Sequence, residues 1–305
     1  MMIKTRKSFS CVKGFFLLSV MLFYILHARE CTIYLREGLR LCAYTLTPAV
    51  FPHLVLCELA LPYLSGIGGG ILGRLASKVL CVRRELLPAL LCGSFCGAPI
   101  GARTAASLAR TERATKKELS VLAAFSNHTS PAFVIGGVGL GLFHSAALGV
   151  LLFFAELLSS LLCLALFMRL IGKRKEGTSN APPKTVAVSL SDAVSRGGSA
   201  MISIAAVVLF FSPIVGFVRA YLGKHAMPLV LLLEVTNACA DASSVPQGAY
   251  LAAFAIAFGG ISVFMQSLHF LKETPVSPLL FLTCKLTSAC VTPVFFYLLT
   301  RLPLF

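Results

Sequence analysis

Glu234 and Asp241 fall in EVTNACADASS (234–244), a polar stretch that interrupts an otherwise apolar segment. With Thr236, Asn237, Ser243 and Ser244 around them, they offer the oxygen ligands that hold sugar hydroxyls or a hard cation. The alternative is that the segment ends near Asp241 and leaves only Glu234 buried. A second polar stretch, Asn127-His128-Thr129-Ser130, precedes Pro131, which lacks an amide donor and frees a backbone carbonyl. His128 reads better as a hydrogen-bonded packing residue than as a ligand. Ser262 and Gln266 are one helical turn apart, so they share a face that lines a cavity or bonds a neighbouring helix. Arg103, just after SFCGAPIGA, is placed to reach an anionic group or to extend to the surface. The candidate substrate-binding residues are therefore Glu234, Thr236, Asn237, Ser262, Gln266 and Arg103; the candidate ion ligands are Asn127, Ser130 and Asp241. Glu156 and Lys285 sit near the centres of two apolar runs and read as an ion pair, with a proton-carrying role for Glu156 as the alternative.

Catalytic signatures are missing: there is no HExxH, G-x-S-x-G, phosphate-binding loop or CxxC. The 11 cysteines are odd in number and scattered, which points to neither a disulfide framework nor a metal site. No catalytic residue, metal or cofactor is expected. GIGGGILG (66–73) lacks a βαβ context and reads as close helix packing.

The elements that position these residues follow from composition. Of 305 residues, 57% are hydrophobic and 13% charged, too few charges to cover a water-soluble surface. The sequence predicts an all-α membrane protein, with apolar segments at 14–28, 38–64, 86–108, 119–142, 146–171, 199–220, 227–247, 249–271 and 277–301. The net charge of +15 comes from Lys and Arg clustered between those segments, at 4–13, 74–84, 103–117 and 172–196. Such clustering marks cytoplasmic loops and argues against a nucleic-acid surface. It also makes 86–108 a re-entrant hairpin turning near Gly97-Ala98-Pro99, because a full crossing would put the basic loop 109–118 outside; a kinked span is the alternative. The layout predicts a signal anchor over 1–30 with a cytoplasmic N-terminus, a first repeat over 31–171, a cytoplasmic linker over 172–198 and a second repeat over 199–305. The halves carry matching broken segments in opposite orientation: an inverted-repeat helical bundle with two re-entrant hairpins and broken helices.

Four motifs, GAPIGAR (97–103), FSNHTSPAFVIGGVG (125–139), EVTNA (234–238) and FGGISVFMQ (258–266), resemble the sporulation integral membrane proteins of the YlbJ type, with their nucleoside-recognition (Gate) domains. The resemblance covers about residues 38–272. It implies a multi-pass cell-membrane protein of endospore formation, with a fold similar to the core of concentrative nucleoside transporters. It places Glu234 and Ser262 toward a nucleoside and Asn127 near an ion site. Where those transporters carry a polar triplet in the first hairpin, this chain has Ala98-Pro99-Ile100. The expected partners are the lipid bilayer and a small polar solute; a coupling sodium ion or proton and a homo-oligomer are compatible with the reading. A scaffold of the spore envelope that transports nothing is the alternative function.

Overall fold

The computed structural model describes residues 14–15, 17–64, 70–98, 100–109, 114–172 and 188–302. The basic residues of 1–13, Pro99, Arg110, Arg113 and the linker core 173–187 lie outside the described residues. Every regular element among the described residues is helical: an all-α membrane protein. Among the described residues, five helices are long and apolar enough to cross a membrane: α2 (Ala28–Tyr63), α8 (Ala146–Ile171), α9 (Leu190–Leu222, continuing by a short turn to His225), a broken helix over Gly248–Leu271, and α14 (Pro278–Thr300).

α1 (Leu17–Leu26) is an apolar helix with ten consecutive residues described, about 15 Å at 1.5 Å per residue. It bends at His27 and continues into α2. The loop expected between an anchor at 14–28 and a span at 38–64 does not exist: residues 28–40 are helix. Their charges mislead because Arg29, Glu30, Arg36 and Glu37 are exposed, while Cys31, Tyr34 and Gly38 turn toward α9. α2 runs antiparallel along α9: Tyr34 lies against Gly216, Gly38 against Ser212 and Val55 against Gly197. The missing side chains let the two backbones approach. α9 also takes up residues 190–198 of the expected linker, its first turn capped by the Ser189 hydroxyl.

The remaining elements pack beside this long pair. α3 (Gly70–Leu80) leads into a helical hairpin of α4 (Leu87–Cys96) and α5 (Ile100–Ala109), which turns at Gly97 with φ 76°. Each arm is ten residues, about 15 Å, against a hydrocarbon core of about 30 Å, so neither crosses. α6 (Lys116–Phe125) opens on a reciprocal cap in which Thr115 accepts from the Glu118 amide and Glu118 from the Thr115 amide. After a gap at 126–131, α7 (Ala132–Leu142) continues in wide π turns, and Gly139 meets Gly149 of α8. A second, shorter hairpin of α10 (Met227–Leu233) and α11 (Val235–Ala242) precedes α12 (Gly248–Phe258) and α13 (Gly260–Leu271).

The bundle has two chemically different ends. Arg83 with Glu118, Arg103 and Arg196 with Glu58, and the Ser277 amide with Ser120 all meet at one end, the basic one. Arg219 with Asp241, and Phe23, Tyr34 and Phe217, meet at the other.

Candidate functional site

The site is built from two helix breaks and the two hairpin tips docked on them. At the first break α6 stops at Phe125, residues 127–130 have no regular structure, and Ser130 restarts the chain by accepting from the Phe133 amide at 3.1 Å. Backbone groups released at membrane depth must find partners inside the protein. Here they do so on three other elements, and one side chain of the break reaches a fourth. The His128 carbonyl accepts from the Ala98 amide at the first hairpin tip, 2.7 Å. Lys285 Nζ of α14 donates to the Asn127 carbonyl at 3.1 Å. The Thr129 amide donates to Glu156 Oε1 of α8 at 3.0 Å, and its hydroxyl donates to Oε2. The Asn127 side-chain amide donates to Ser267 of α13 at 2.7 Å.

Glycine makes this docking possible. Gly93, Gly97 and Gly101 recur every four residues and face the break; a Cβ at Gly93 or Gly101 would overlap the Ser126 carbonyl, and one at Gly97 would press on Ser130. At the second break, too, glycine lets a hairpin tip approach. Gly259 and Gly260 both take positive φ, 83° and 75°, and break α12 from α13. Gly260 lies against the Leu233 carbonyl and the Glu234 amide at the second hairpin tip. Glu234 is extended there, and its carboxylate caps α11 by accepting from the amides of Thr236 (3.0 Å) and Asn237 (2.8 Å) and from the Asn237 side chain (2.9 Å).

Between these parts lies a cavity of about 60 Å³. Its polar lining comes from both breaks and the second hairpin, Thr129 and Ser130, Glu234 and Thr236, Ser262 and Gln266, while the first hairpin tip contributes the apolar Ala98. Leu46, Val50, Ile204 and Val208 of the long pair close one side. The volume holds a water or two; drug-sized ligands take about 300–1,000 Å³. The arrangement can surround a small polar guest with hydroxyls, an amide and one carboxylate.

Four of the six expected substrate-facing residues, Glu234, Thr236, Ser262 and Gln266, line this cavity, as does Ser130. Asn237 instead serves the Glu234 cap. Arg103 does not line the cavity: it bonds Glu58 at 2.8 Å at the basic end, where Arg196 stands 3.8 Å from the same carboxylate. Asp241 pairs with Arg219 at 2.6 Å near the opposite end, away from Asn127. Asn127 is 1% exposed and turns to Ser267 instead of the cavity, its Oδ1 without a partner among the described residues. Glu156 and Lys285 hold the same short segment from two helices, and no direct ion pair forms between them among the described residues. Each is bonded separately to residues 127–129, Glu156 to Thr129 and Lys285 to the Asn127 carbonyl.

Sequence reading missed Glu58, an acid inside an apolar run whose charge was signal enough. It also missed the hydroxyl ladder joining α8 to α14, Ser159 with Thr292 at 2.6 Å and Ser160 with Ser288 at 3.1 Å. Isolated serines in apolar runs are common, so that ladder had no distinguishing signal.

Among curated proteins, the chain is 30% identical over 148 residues to the sporulation integral membrane protein YlbJ of Bacillus subtilis (strain 168). This bears out the YlbJ-type resemblance read from the four motifs. The match covers 46% of this chain and spans 35% of that relative's length. No protein-family model matches the chain, and no solved structure does.

Proposed function

We propose that the chain is a transporter-like membrane protein, not an enzyme, that moves a small polar solute across the cell membrane during endospore formation. The sporulation context rests on the YlbJ similarity; the transport reading rests on the cavity, where polar side chains from both breaks and the second hairpin converge against the first hairpin tip. Backbone freed at membrane depth is tolerated where it is buried in protein or lines a wet space, and broken helices around a midplane site are how many carriers hold their cargo. The docking of each hairpin on its own break supports an inverted repeat of two Gate-like units. At about 60 Å³ the cavity is too tight for a nucleoside, so a nucleoside-like cargo requires the hairpins to part. A coupling proton fits better than sodium, because Lys285 already places a cation on the Asn127 carbonyl.

One observation favours a second reading, a non-transporting scaffold: all the protein bonds of Glu234 go to capping α11, a purely structural use of the most conspicuous acid. Substitutions that strip polarity from the cavity without touching the caps separate the two. Gln266→Leu and Ser262→Ala should abolish uptake into proteoliposomes over a panel of nucleosides and small polar metabolites. They should also block spore formation while the protein accumulates in the membrane at its usual level. Normal sporulation by both variants, with no uptake by the unaltered protein, would refute transport.

A further inference from the structure

α3 lies at the basic end against α8, to one side of the bundle. Its Ile71, Leu75 and Val79 are exposed, 57–78% each, and recur at i, i+4, i+8, so they form one apolar strip. Arg74 and Lys78, one helical turn apart, are exposed along the edge of that strip. Such a helix suits the membrane interface, apolar strip in the acyl region and cations at headgroup level.

Behind it is a second cavity, about 360 Å³, between α3, the turn at 81–84, the start of α6 and the end of α8. Four cations, Arg74, Lys78, Arg83 and Arg84, line it against one carboxylate, Glu118. That carboxylate is already committed: Arg83 holds both its oxygens, at 3.1 and 3.2 Å, and it also caps α6. Arg74, Lys78 and Arg84 have no acidic partner among the described residues. Arg169 adds a further cation at the rim, its Nε 3.2 Å from Cys81 Sγ.

We propose that this recess binds a phosphate diester, and that its source is an anionic phospholipid of the phosphatidylglycerol class. The phosphate sits among Arg74, Lys78 and Arg84, and the acyl chains lie along Ile71, Leu75 and Val79. Guanidinium forks and an ammonium match phosphate oxygens, and a basic recess among helices at the membrane surface favours anionic headgroups. The adjoining exposed apolar strip is what a soluble phosphate ester would leave unused. Nothing in the proposal depends on what the midplane cavity carries.

The test is thermal unfolding of the full chain in mixed micelles. Phosphatidylglycerol should raise the midpoint over an equal amount of phosphatidylcholine. Arg74→Gln with Lys78→Gln, both exposed and unpaired, should remove that increment while leaving the phosphatidylcholine midpoint unchanged, and should weaken half-saturation at least ten-fold. An equal midpoint in the two lipids, or an undiminished increment in the double variant, overturns the proposal. The same rise with inorganic phosphate or glycerol phosphate in phosphatidylcholine micelles overturns the lipid as the source.

Discussion

Lys285 and Glu156 make the sharpest test of how the first break is held. Lys285→Met keeps the apolar stem but removes the amino group that donates to the Asn127 carbonyl. Glu156, 1% exposed, then keeps its bonds to Thr129, with His128 Nδ1 3.9 Å from its Oε1, and has lost the opposite charge beyond residues 127–129. Removing one member of a buried charged pair costs about 3–5 kcal/mol. Glu156→Gln leaves the converse defect, an ammonium 6% exposed with one carbonyl partner, and should cost about the same. If the two acted independently, the double variant would lose roughly 6–10 kcal/mol. Because they act on each other through one three-residue segment, the double variant removes both charges and leaves mainly an unpaired carbonyl, about 1–3 kcal/mol. At about 2–3 °C per kcal/mol for a chain of this size, each single variant should lower the unfolding midpoint by roughly 6–15 °C, and the double variant by less than either. The protein supplies its own reporter, since Cys31, Cys42, Cys57, Cys92, Cys96, Cys163, Cys239 and Cys284 are buried. A thiol-reactive fluorophore added to purified protein in detergent will brighten as they are exposed. A midpoint for Lys285→Met within 2 °C of the unaltered protein, or additive losses in the double variant, would refute the coupling.

Other consequences follow from the same geometry. Gly101→Ala forces a Cβ into the Ser126 carbonyl and separates the Ala98 amide from His128, so stability should drop by about 2–5 kcal/mol and Cys96 should label at lower temperature. Glu118→Gln weakens both the bidentate contact with Arg83 and the cap at Thr115, a loss of about 1–3 kcal/mol by thermal unfolding. The concentration of Lys and Arg at one end predicts that this end is cytoplasmic. With native thiols replaced, cysteines at Lys78 and Lys272 should react with impermeant maleimide only from inside, and one at Lys224 only from outside; inversion of that pattern would overturn the assignment. If Lys285 is the resident cation of the first break, replacing sodium by choline should leave solute uptake within two-fold, whereas a strict sodium requirement would displace it from that role.

Much of the fold was legible because each break is a local matter. Gly97 and the Gly259–Gly260 pair take positive φ, and Pro131 lacks a donor, whatever surrounds them. The ten-residue arms of the first hairpin follow from that punctuation. The reading failed at residues 28–40, where local charge suggested a loop. Those charges point outward from a helix whose other face packs on α9, and a partner more than 170 residues away cannot be seen in local polarity. Arg103 and Asp241 both stand away from the cavity, Arg103 on an anionic group as one of its two readings had it. Each is an ionisable residue near an apolar run, but their partners, Glu58 and Arg219, lie on other helices.

The sequence by itself determined the solvent, the helices and the places where helices stop, since composition, backbone propensity and the length of apolar runs set those without reference to the rest of the chain. The tertiary structure alone decided what answers each stop. The Thr129 amide finds Glu156, 27 residues on, and the Asn127 carbonyl finds Lys285, 158 residues on. A freed backbone group specifies only that it must have a partner; which side chain reaches it depends on how α8 and α14 pack against the break.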